Sequence, residues 1–177
     1  MTQPHIVAIG GTVRATSSTG RALQMALKLA EARGARTTLM TGTAIDFPNF
    51  DPEGATADPV AAFVDTVRSA DAIVIGSPGY HGSFSGLVKN ALDHIELTAK
   101  DARPYFTNLP VGVVATAAGW QAAVTTLASL RGVVHALRGW PTPLGVAINT
   151  QEPDAVPHAE PQLAIMVDQL FDFLRPR

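Results

Sequence analysis

The chain of 177 residues contains no cysteine, which excludes disulfides, thiolate metal ligands and cysteine nucleophiles. Its formal net charge is only -2 at pH 7 and no run of Lys or Arg occurs, so nothing favours binding to nucleic acid. No apolar run is long enough to span a membrane, and residues 1–5 lack the basic and apolar regions of a signal peptide. We therefore expect a cytoplasmic protein without nucleic-acid or membrane partners.

Short apolar runs alternate with stretches of helical periodicity along the chain. The sequence predicts strands at residues 6–9, 36–40, 72–75, 111–115 and 142–148. It predicts helices over about residues 19–34, 85–97, 121–137 and 158–174, and a further helix that begins at Asp58-Pro59. This alternation indicates one α/β domain over residues 1–177, a doubly wound parallel sheet with helices on both faces. Ligands of such sheets bind at the carboxyl ends of the strands, so the loops after strands one, three and four are candidate sites.

The segment after strand three is rich in residues that interrupt regular structure. Glycine and proline predict irregular backbone that a ligand can approach closely, and they stand at Gly76, Pro78, Gly79, Gly82 and Gly86. Aromatic rings are interleaved with them, at Tyr80, His81 and Phe84. An ordinary strand-to-helix connection is the alternative, but the composition favours a loop that binds a flat ligand.

The loop after strand one combines hydroxyl groups with a guanidinium at the start of a helix. The groups belong to Thr12, Arg14, Thr16, Ser17, Ser18 and Thr19. Because a helix N-terminus attracts anions, and because these donors match phosphate oxygens, the loop favours a phosphomonoester. The alternative is a polar loop in which Thr19 only caps the helix. Both the Walker A loop and the GxGxxG dinucleotide fingerprint are missing from the sequence.

These two loops together resemble the NADPH-dependent FMN reductase family, whose members have the flavodoxin-like fold. The first motif is Thr12-x-Arg14-x-x-Ser17 followed by Ser18-Thr19. The second and more specific motif is Ser77-Pro78-x-Tyr80-x-Gly82-Ser83-x-x-Gly86-x-x-Lys89-Asn90-Ala91-x-Asp93. The similarity spans most of the chain, including residues 46–52 after strand two. It implies a five-stranded parallel sheet in the order 2-1-3-4-5.

The resemblance also implies FMN as the cofactor. The phosphate would be held by Thr12, Arg14, Ser17, Ser18 and Thr19. The ring system would contact Pro78, Gly79, Tyr80, His81, Gly82, Ser83 and Phe84, with Thr116 and Gly119 on its other side. No metal is expected, because Asp93, His94 and Glu96 on one helical turn are more typical of a solvated face or a subunit contact.

Members of the family commonly form dimers or tetramers through the helix after the second motif. We therefore expect a homodimer or homotetramer through residues 85–97. The apolar stripe Leu87, Leu92 and Ile95 then lies either at the subunit contact or in the core of the chain itself.

Four residues depart from the pattern of the family, and the mildest change is Thr12 where Ser is usual. Gly79 stands where Glu is common, His81 where Asn is common and Ser85 where Pro is common. We expect Gly79 and Ser85 to make the loop more flexible. His81 places a titratable ring near the expected flavin, either to protonate a reduced acceptor or only to shape the loop.

The implied activity is transfer of electrons from NADPH or NADH through FMN to a quinone, azo dye, flavin or similar acceptor, in a ping-pong reaction. The flavin carries this chemistry, so the protein need supply no catalytic acid or base. Two alternatives remain. One is a reductase that supplies reduced FMN to a partner monooxygenase, and the other is a flavodoxin-like electron carrier without enzymatic activity.

Overall fold

The computed structural model describes residues 3–14 and 16–175, in which strands and helices alternate as predicted. The strands are β1 (His5–Gly10), β2 (Arg36–Thr41), β3 (Ala72–Tyr80), β4 (Ser83–Phe84), β5 (Pro110–Ala117), β6 (Trp140–Pro141) and β7 (Val146–Asn149). The α-helices are α1 (Ser18–Glu31), α2 (Asp58–Arg68), α3 (Gly86–Asp93), α4 (Trp120–Ala136), α5 (Ala155–His158) and α6 (Glu160–Leu174). Short 3-10 helices lie at Gly42–Ile45 and His94–Thr98.

The strands form one sheet whose order is β2-β1-β3-β5-β6, with β7 also paired to β5. Pairing between these strands is parallel, and β1 lies between β2 and β3, with Ile6 opposite Thr37 on one side and Ala72 on the other. The short strand β4 is antiparallel to the end of β3. Because β6 and β7 occupy one edge position beside β5, the predicted order 2-1-3-4-5 is confirmed.

Apolar side chains fill both faces of the sheet, as β1 shows. Ile6 and Ala8 pack in the cluster that includes α1 and α6, whereas Val7 and Ile9 pack in the cluster that includes α2, α3 and α4. All four side chains are fully buried, as expected for a strand that is covered on both faces.

The prediction of one continuous fifth strand at residues 142–148 is wrong. The edge position is divided between β6 and β7, and Pro143 between them has no N–H to donate to the sheet. Hydrogen bonds hold the break in place, because the backbone N–H of Thr142 donates to Val111 at 2.9 Å and Arg131 Nη1 donates to the Thr142 carbonyl at 2.8 Å.

The predicted last helix corresponds to α6 preceded by the single turn α5. Leu163, Met166 and Leu170 of α6 are fully buried in the core. Ile165 on the same helix is 49% exposed.

The predicted helix over residues 85–97 consists of α3 and the 3-10 helix that follows it. Ser85 is the N-cap, and its Oγ accepts the backbone N–H of Val88 at 3.3 Å. Leu92 and Ile95 are buried in the core, and Leu87 packs against the same core while partly buried. The structure therefore supports the second alternative for this stripe, in which its side chains pack in the core of the chain itself and not at a subunit contact.

Candidate functional site

The loop after β1 places hydroxyl and guanidinium groups around the N-terminus of α1. Ser17, and not the predicted Thr19, is the N-cap, and its Oγ accepts the backbone N–H of Gly20 at 3.2 Å. Thr12, Arg14 and Ser17 line a recess of about 230 Å³ beside this end of the helix. Amides of a first helical turn have no partner within the helix, so the recess suits an anion.

A second guanidinium reaches the same recess. Arg21 lines it together with Arg14, and Arg21 Nη2 donates to Ser18 Oγ at 3.3 Å. Arg21 was not among the predicted site residues, although its position three residues after Ser18 places both side chains on one face of the helix. Two positive charges at a helix N-terminus favour a doubly charged anion such as a phosphomonoester.

Two of the predicted site residues lie in the protein interior beneath this loop. Thr19 is 1% exposed and Thr116 is 3% exposed. Their Oγ1 atoms form a hydrogen bond of 2.6 Å that joins the start of α1 to the carboxyl end of β5. Each hydroxyl therefore has its partner inside the protein, and the pair supports the loop from below.

The segment after strand three is a hairpin and not the irregular loop that its glycines predict. β3 continues through Gly76 and Pro78 to Tyr80, and β4 then folds back against it. The paired residues are Gly79 with Phe84 and Tyr80 with Ser83. The turn has φ of 51° at His81 and 88° at Gly82, the positive values of a type I′ turn. His81 is thus exposed at the tip, where its role as a proton donor stays a prediction.

Gly79 and Ser85 both make close contacts in the structure, and the expectation that they make this segment flexible stays a prediction. A Cβ at Gly79 would lie 2.5 Å from Thr126 Oγ1 and 3.1 Å from Ala117 Cβ, so glycine allows α4 to pack closely against the hairpin. Ser85 is 6% exposed, and its backbone N–H donates to Ser77 Oγ at 2.9 Å.

A cleft of about 520 Å³ separates the loop after β1 from the hairpin. Thr12, Arg14 and Tyr80 line it together, so the structure brings the two predicted halves of the site to one place. Tyr80 is 54% exposed, which leaves a face of its ring available for stacking. A Cβ at Gly86, which also lines the cleft, would meet nothing within 4 Å, so a ligand can approach the backbone there.

A third side of the cleft comes from the loop after β2, which was not among the candidate loops. Asp46, Phe47 and Asn49 line the cleft from this side. Asn90 of α3 also lines it and bonds to the backbone of Phe50 in the same loop. The sequence signal was weak, because β2 is followed by a single glycine, Gly42, and by a 3-10 helix of only 4 residues.

The loop after β5 lies outside this cleft. Gly119 has φ of 116°, and its backbone N–H donates to Asn149 Oδ1 at 2.8 Å. Trp120 Nε1 donates to Glu152 Oε1 at 2.9 Å, and these two residues line a separate cleft of about 450 Å³. Contact between Gly119 and a ring system therefore stays a prediction.

No group of three or more His, Asp or Glu that could hold a metal ion occurs within residues 3–14 and 16–175. Asp93 instead pairs with Lys89, and His94 Nε2 donates to the Pro48 carbonyl at 3.0 Å. Over the same described part of the chain, no helix has both the length and the apolar character needed to cross a membrane.

Comparison with known sequences identifies a family for most of the chain. Residues 4–153 match the family model described as NADPH-dependent FMN reductase. An FMN-dependent NADPH-azoreductase from Staphylococcus haemolyticus is 39% identical over 89 residues, which are 50% of this chain and 40% of that protein. This chain thus spans less than half the length of the curated relatives that it matches.

Solved structures share the fold at low sequence identity. FerB, a flavoenzyme NAD(P)H:(acceptor) oxidoreductase from Paracoccus denitrificans, has a TM-score of 0.77 at 20% identity and covers 97% of each chain. A point mutant of flavodoxin from Pseudomonas aeruginosa has a TM-score of 0.63 at 18% identity, over 94% of this chain and 99% of that one. These similarities confirm the flavodoxin-like fold.

Proposed function

Because this chain belongs to the NADPH-dependent FMN reductase family, a family of oxidoreductases, we propose that it uses FMN to pass electrons from NADPH or NADH to a small acceptor, such as an azo dye, a quinone or free flavin. One observation carries this proposal. Thr12 and Arg14 line both the anion recess and the 520 Å³ cleft, so the two spaces meet at these residues. A ligand with a phosphate at one end and a flat ring system at the other fits both.

The residues present suit the two ends of FMN. The phosphate would be held by the hydroxyl and guanidinium groups of Thr12, Arg14, Ser17, Ser18 and Arg21. The ring would lie along the hairpin, where Tyr80 offers an aromatic face and the turn offers exposed backbone groups. A volume of about 520 Å³ lies within the range of small-ligand sites, ~300–1,000 Å³.

Bound FMN supplies the chemistry of accepting a hydride and passing electrons onward. The protein contributes binding and orientation, for which the hairpin is suited because Ser77, Ser85 and the packing of Gly79 fix its base. His81, at the exposed tip of the turn, is proposed to donate a proton to the reduced acceptor from its imidazolium form, which leaves neutral imidazole. A His81→Ala protein with unchanged quinone turnover between pH 6 and 8 would remove that role.

A titration with two flavins tests the binding mode. FMN should bind to the wild-type protein, and Arg14→Ala should weaken FMN about 10- to 100-fold, the loss of one charge-assisted hydrogen bond of ~1.5–3 kcal/mol. Riboflavin, which lacks the phosphate, should bind to the wild-type protein and to Arg14→Ala with the same affinity. Arg36→Ala is the control, since Arg36 is exposed at the amino end of β2. Failure of the wild-type protein to bind FMN would refute the proposed function.

Anaerobic mixing of the FMN-loaded protein with NADPH or NADH then distinguishes the proposed enzyme from the two alternatives, a reductase that supplies a monooxygenase and an electron carrier. Bleaching of the flavin followed by recovery with an azo dye or quinone supports the proposed enzyme, and a carrier would show no bleaching. FMN that stays bound through gel filtration supports transfer on the protein. Loss of FMN there would instead favour a reductase that supplies a partner monooxygenase.

We propose that the chain assembles as a homodimer through α4 and not through α3. The residues Val124, Ala128 and Gly132 are all exposed and are spaced by four, so they lie on one side of this helix. The ionisable side chains of α4 are Arg131 and His135 alone, although a solvent-facing helix is normally charged on its outer side. The side chains of this exposed row are bulky at one end and small at the other.

Two copies of α4 related by a two-fold axis at Ala128 would be complementary in size. Val124 of one copy would face Gly132 of the second, and Gly132 of the first would face Val124 of the second, which is the reciprocity of a symmetric interface. Ala128→Arg should therefore convert the dimer to a monomer in sedimentation velocity. Ala62→Arg, on the exposed side of α2, is the control and should leave the dimer intact. A monomeric wild-type protein would exclude this interface.

A further inference from the structure

One side-chain amide on α3 holds the side of the cleft formed by residues 46–50, here called the wall segment. Asn90 Oδ1 accepts the backbone N–H of Phe50 at 2.9 Å. Its Nδ2 donates to the carbonyl oxygens of Phe47 at 3.0 Å and of Pro48 at 3.1 Å. The wall segment has no regular secondary structure, so side chains bond to backbone groups that in a helix or strand would bond to other backbone groups.

His94, four residues further along, makes a second attachment to the wall segment. Its Nε2 donates to the Pro48 carbonyl at 3.0 Å. Its ring packs edge-on against Phe47 and Phe50, each with a centroid separation of 5.3 Å. Because His94 is 7% exposed, packing as well as hydrogen bonding fixes this attachment.

The same helix also supports the hairpin on the opposite side of the cleft. Ser85, the N-cap of α3, is bonded to Ser77 at the base of the hairpin. Gly86 and Leu87 of the first turn line the cleft, as does Asn90. The separation between the wall segment and the hairpin therefore depends on α3 and on the hydrogen bonds of Asn90.

We propose that Asn90 is a positioning residue that fixes the width of the cleft for the nicotinamide nucleotide. The electron acceptor, which binds after the nucleotide has left, uses the same space. Asn90 does not contribute to FMN affinity. This inference rests on the proposed function, in which the phosphate is held by the loop after β1 and the ring lies along the hairpin, on the side of the cleft opposite the wall segment. No hydrogen bond joins Asn90 to that loop among the described residues. A side-chain amide is needed because it combines an acceptor with two N–H donors, whereas aspartate lacks the donors and leucine lacks both.

Asn90→Leu keeps the size of the side chain and removes all three hydrogen bonds. Without FMN, the Phe50 amide should exchange with deuterium at least about tenfold faster than in the wild-type protein. With FMN bound, anaerobic mixing with NADPH should show an apparent Kd raised about tenfold, the effect of roughly one lost hydrogen bond. The limiting rate of flavin reduction and the FMN Kd should stay within about twofold. Lys89→Ala is the matched control, because Lys89 is on the same helix and pairs with Asp93.

Several outcomes would overturn the proposal. The first is that the Phe50 amide of Asn90→Leu exchanges with deuterium as slowly as in the wild-type protein. The second is an unchanged apparent Kd for NADPH. The third is an FMN Kd that rises together with the apparent Kd for NADPH. If that variant does not fold, His94→Phe keeps the ring packing and removes one bond to Pro48, and it must then give a smaller change in the same direction. If the wild-type protein binds no FMN, the proposed function fails, while amide exchange still decides whether Asn90 holds the wall segment.

Discussion

Replacing Gly79 by alanine should destabilise the protein, although alanine is usually the more stabilising residue. A Cβ at this position would lie 2.5 Å from Thr126 Oγ1, 3.1 Å from Ala117 Cβ and 3.2 Å from the Ala122 carbonyl oxygen. Two of these neighbours, the Ala117 methyl group and the Ala122 carbonyl oxygen, cannot move away by rotation of a side chain. The hairpin and α4 must therefore move apart to admit even one methyl group.

The size of the effect follows from two opposing contributions. Inserting a methyl group into a filled space costs ~1–3 kcal/mol, and replacing glycine in the unfolded chain returns ~0.4–1 kcal/mol. We therefore expect Gly79→Ala to lower the free energy of unfolding by about 1–2 kcal/mol. Thr126→Ala removes the nearest atom, so the double variant should be less destabilised than the sum of the two single variants, by about 1 kcal/mol.

Urea unfolding of the flavin-free protein, followed by circular dichroism, measures these differences. The slope of the transition should be unchanged, so that the shift of its midpoint reports stability. Gly86→Ala is the control, since a Cβ there meets nothing within 4 Å, and it should be neutral or stabilising. A Gly79→Ala protein as stable as the wild type, or additive behaviour with Thr126→Ala, would refute close packing between α4 and the hairpin.

Substitutions at three further positions test local features. Ser17→Ala removes the cap of Gly20 at 3.2 Å and should cost about 1 kcal/mol in urea unfolding, whereas Ser17→Asp should retain most of the stability. His81→Asn should raise the melting temperature, because asparagine before Gly82 is the preferred pair for a turn with two positive φ values, and a lower melting temperature would contradict that turn. Burial lowers the pKa of His5 below its ordinary value of 6.5. The unfolded state then binds the proton more readily than the folded state. The free energy of unfolding should therefore fall as the pH drops below about 6.5, and it should go on falling until the lower pKa of the folded state is passed. His5→Gln should lose this part of the pH dependence.

The order of strands and helices was predictable because each element carries its own periodicity. β1 is a short run of apolar residues covered on both faces, and α2 begins with Asp58-Pro59 as expected. The carboxyl ends of parallel strands then place the loop after β1 next to the hairpin without further information. Two halves of the candidate site therefore followed from the sequence.

The hairpin was not predictable from the same rules. Glycine marks a loop, a positive φ or a close approach, and the sequence does not distinguish these uses. Gly79 serves a close approach to α4, and Gly82 serves a positive φ after His81. The His-Gly pair lacks the strong hairpin signal of Asn-Gly, so the segment was interpreted as irregular.

Polar contacts between distant elements set the shape of the cleft. Thr19 bonds to Thr116 and fixes the loop after β1 on β5, Ser77 bonds to Ser85 and fixes the hairpin on α3, and Asn90 fixes the wall segment on the same helix. A buried hydrogen bond requires a specific distance and direction, whereas apolar side chains tolerate small shifts and exchanges of volume. The apolar core therefore accounts for the fold, while these few bonds fix the separations of the loops. Because the wall segment contributes only Phe47 to the core and the hairpin tip is exposed, loosening them should change the binding of small molecules more than it changes the stability of the fold.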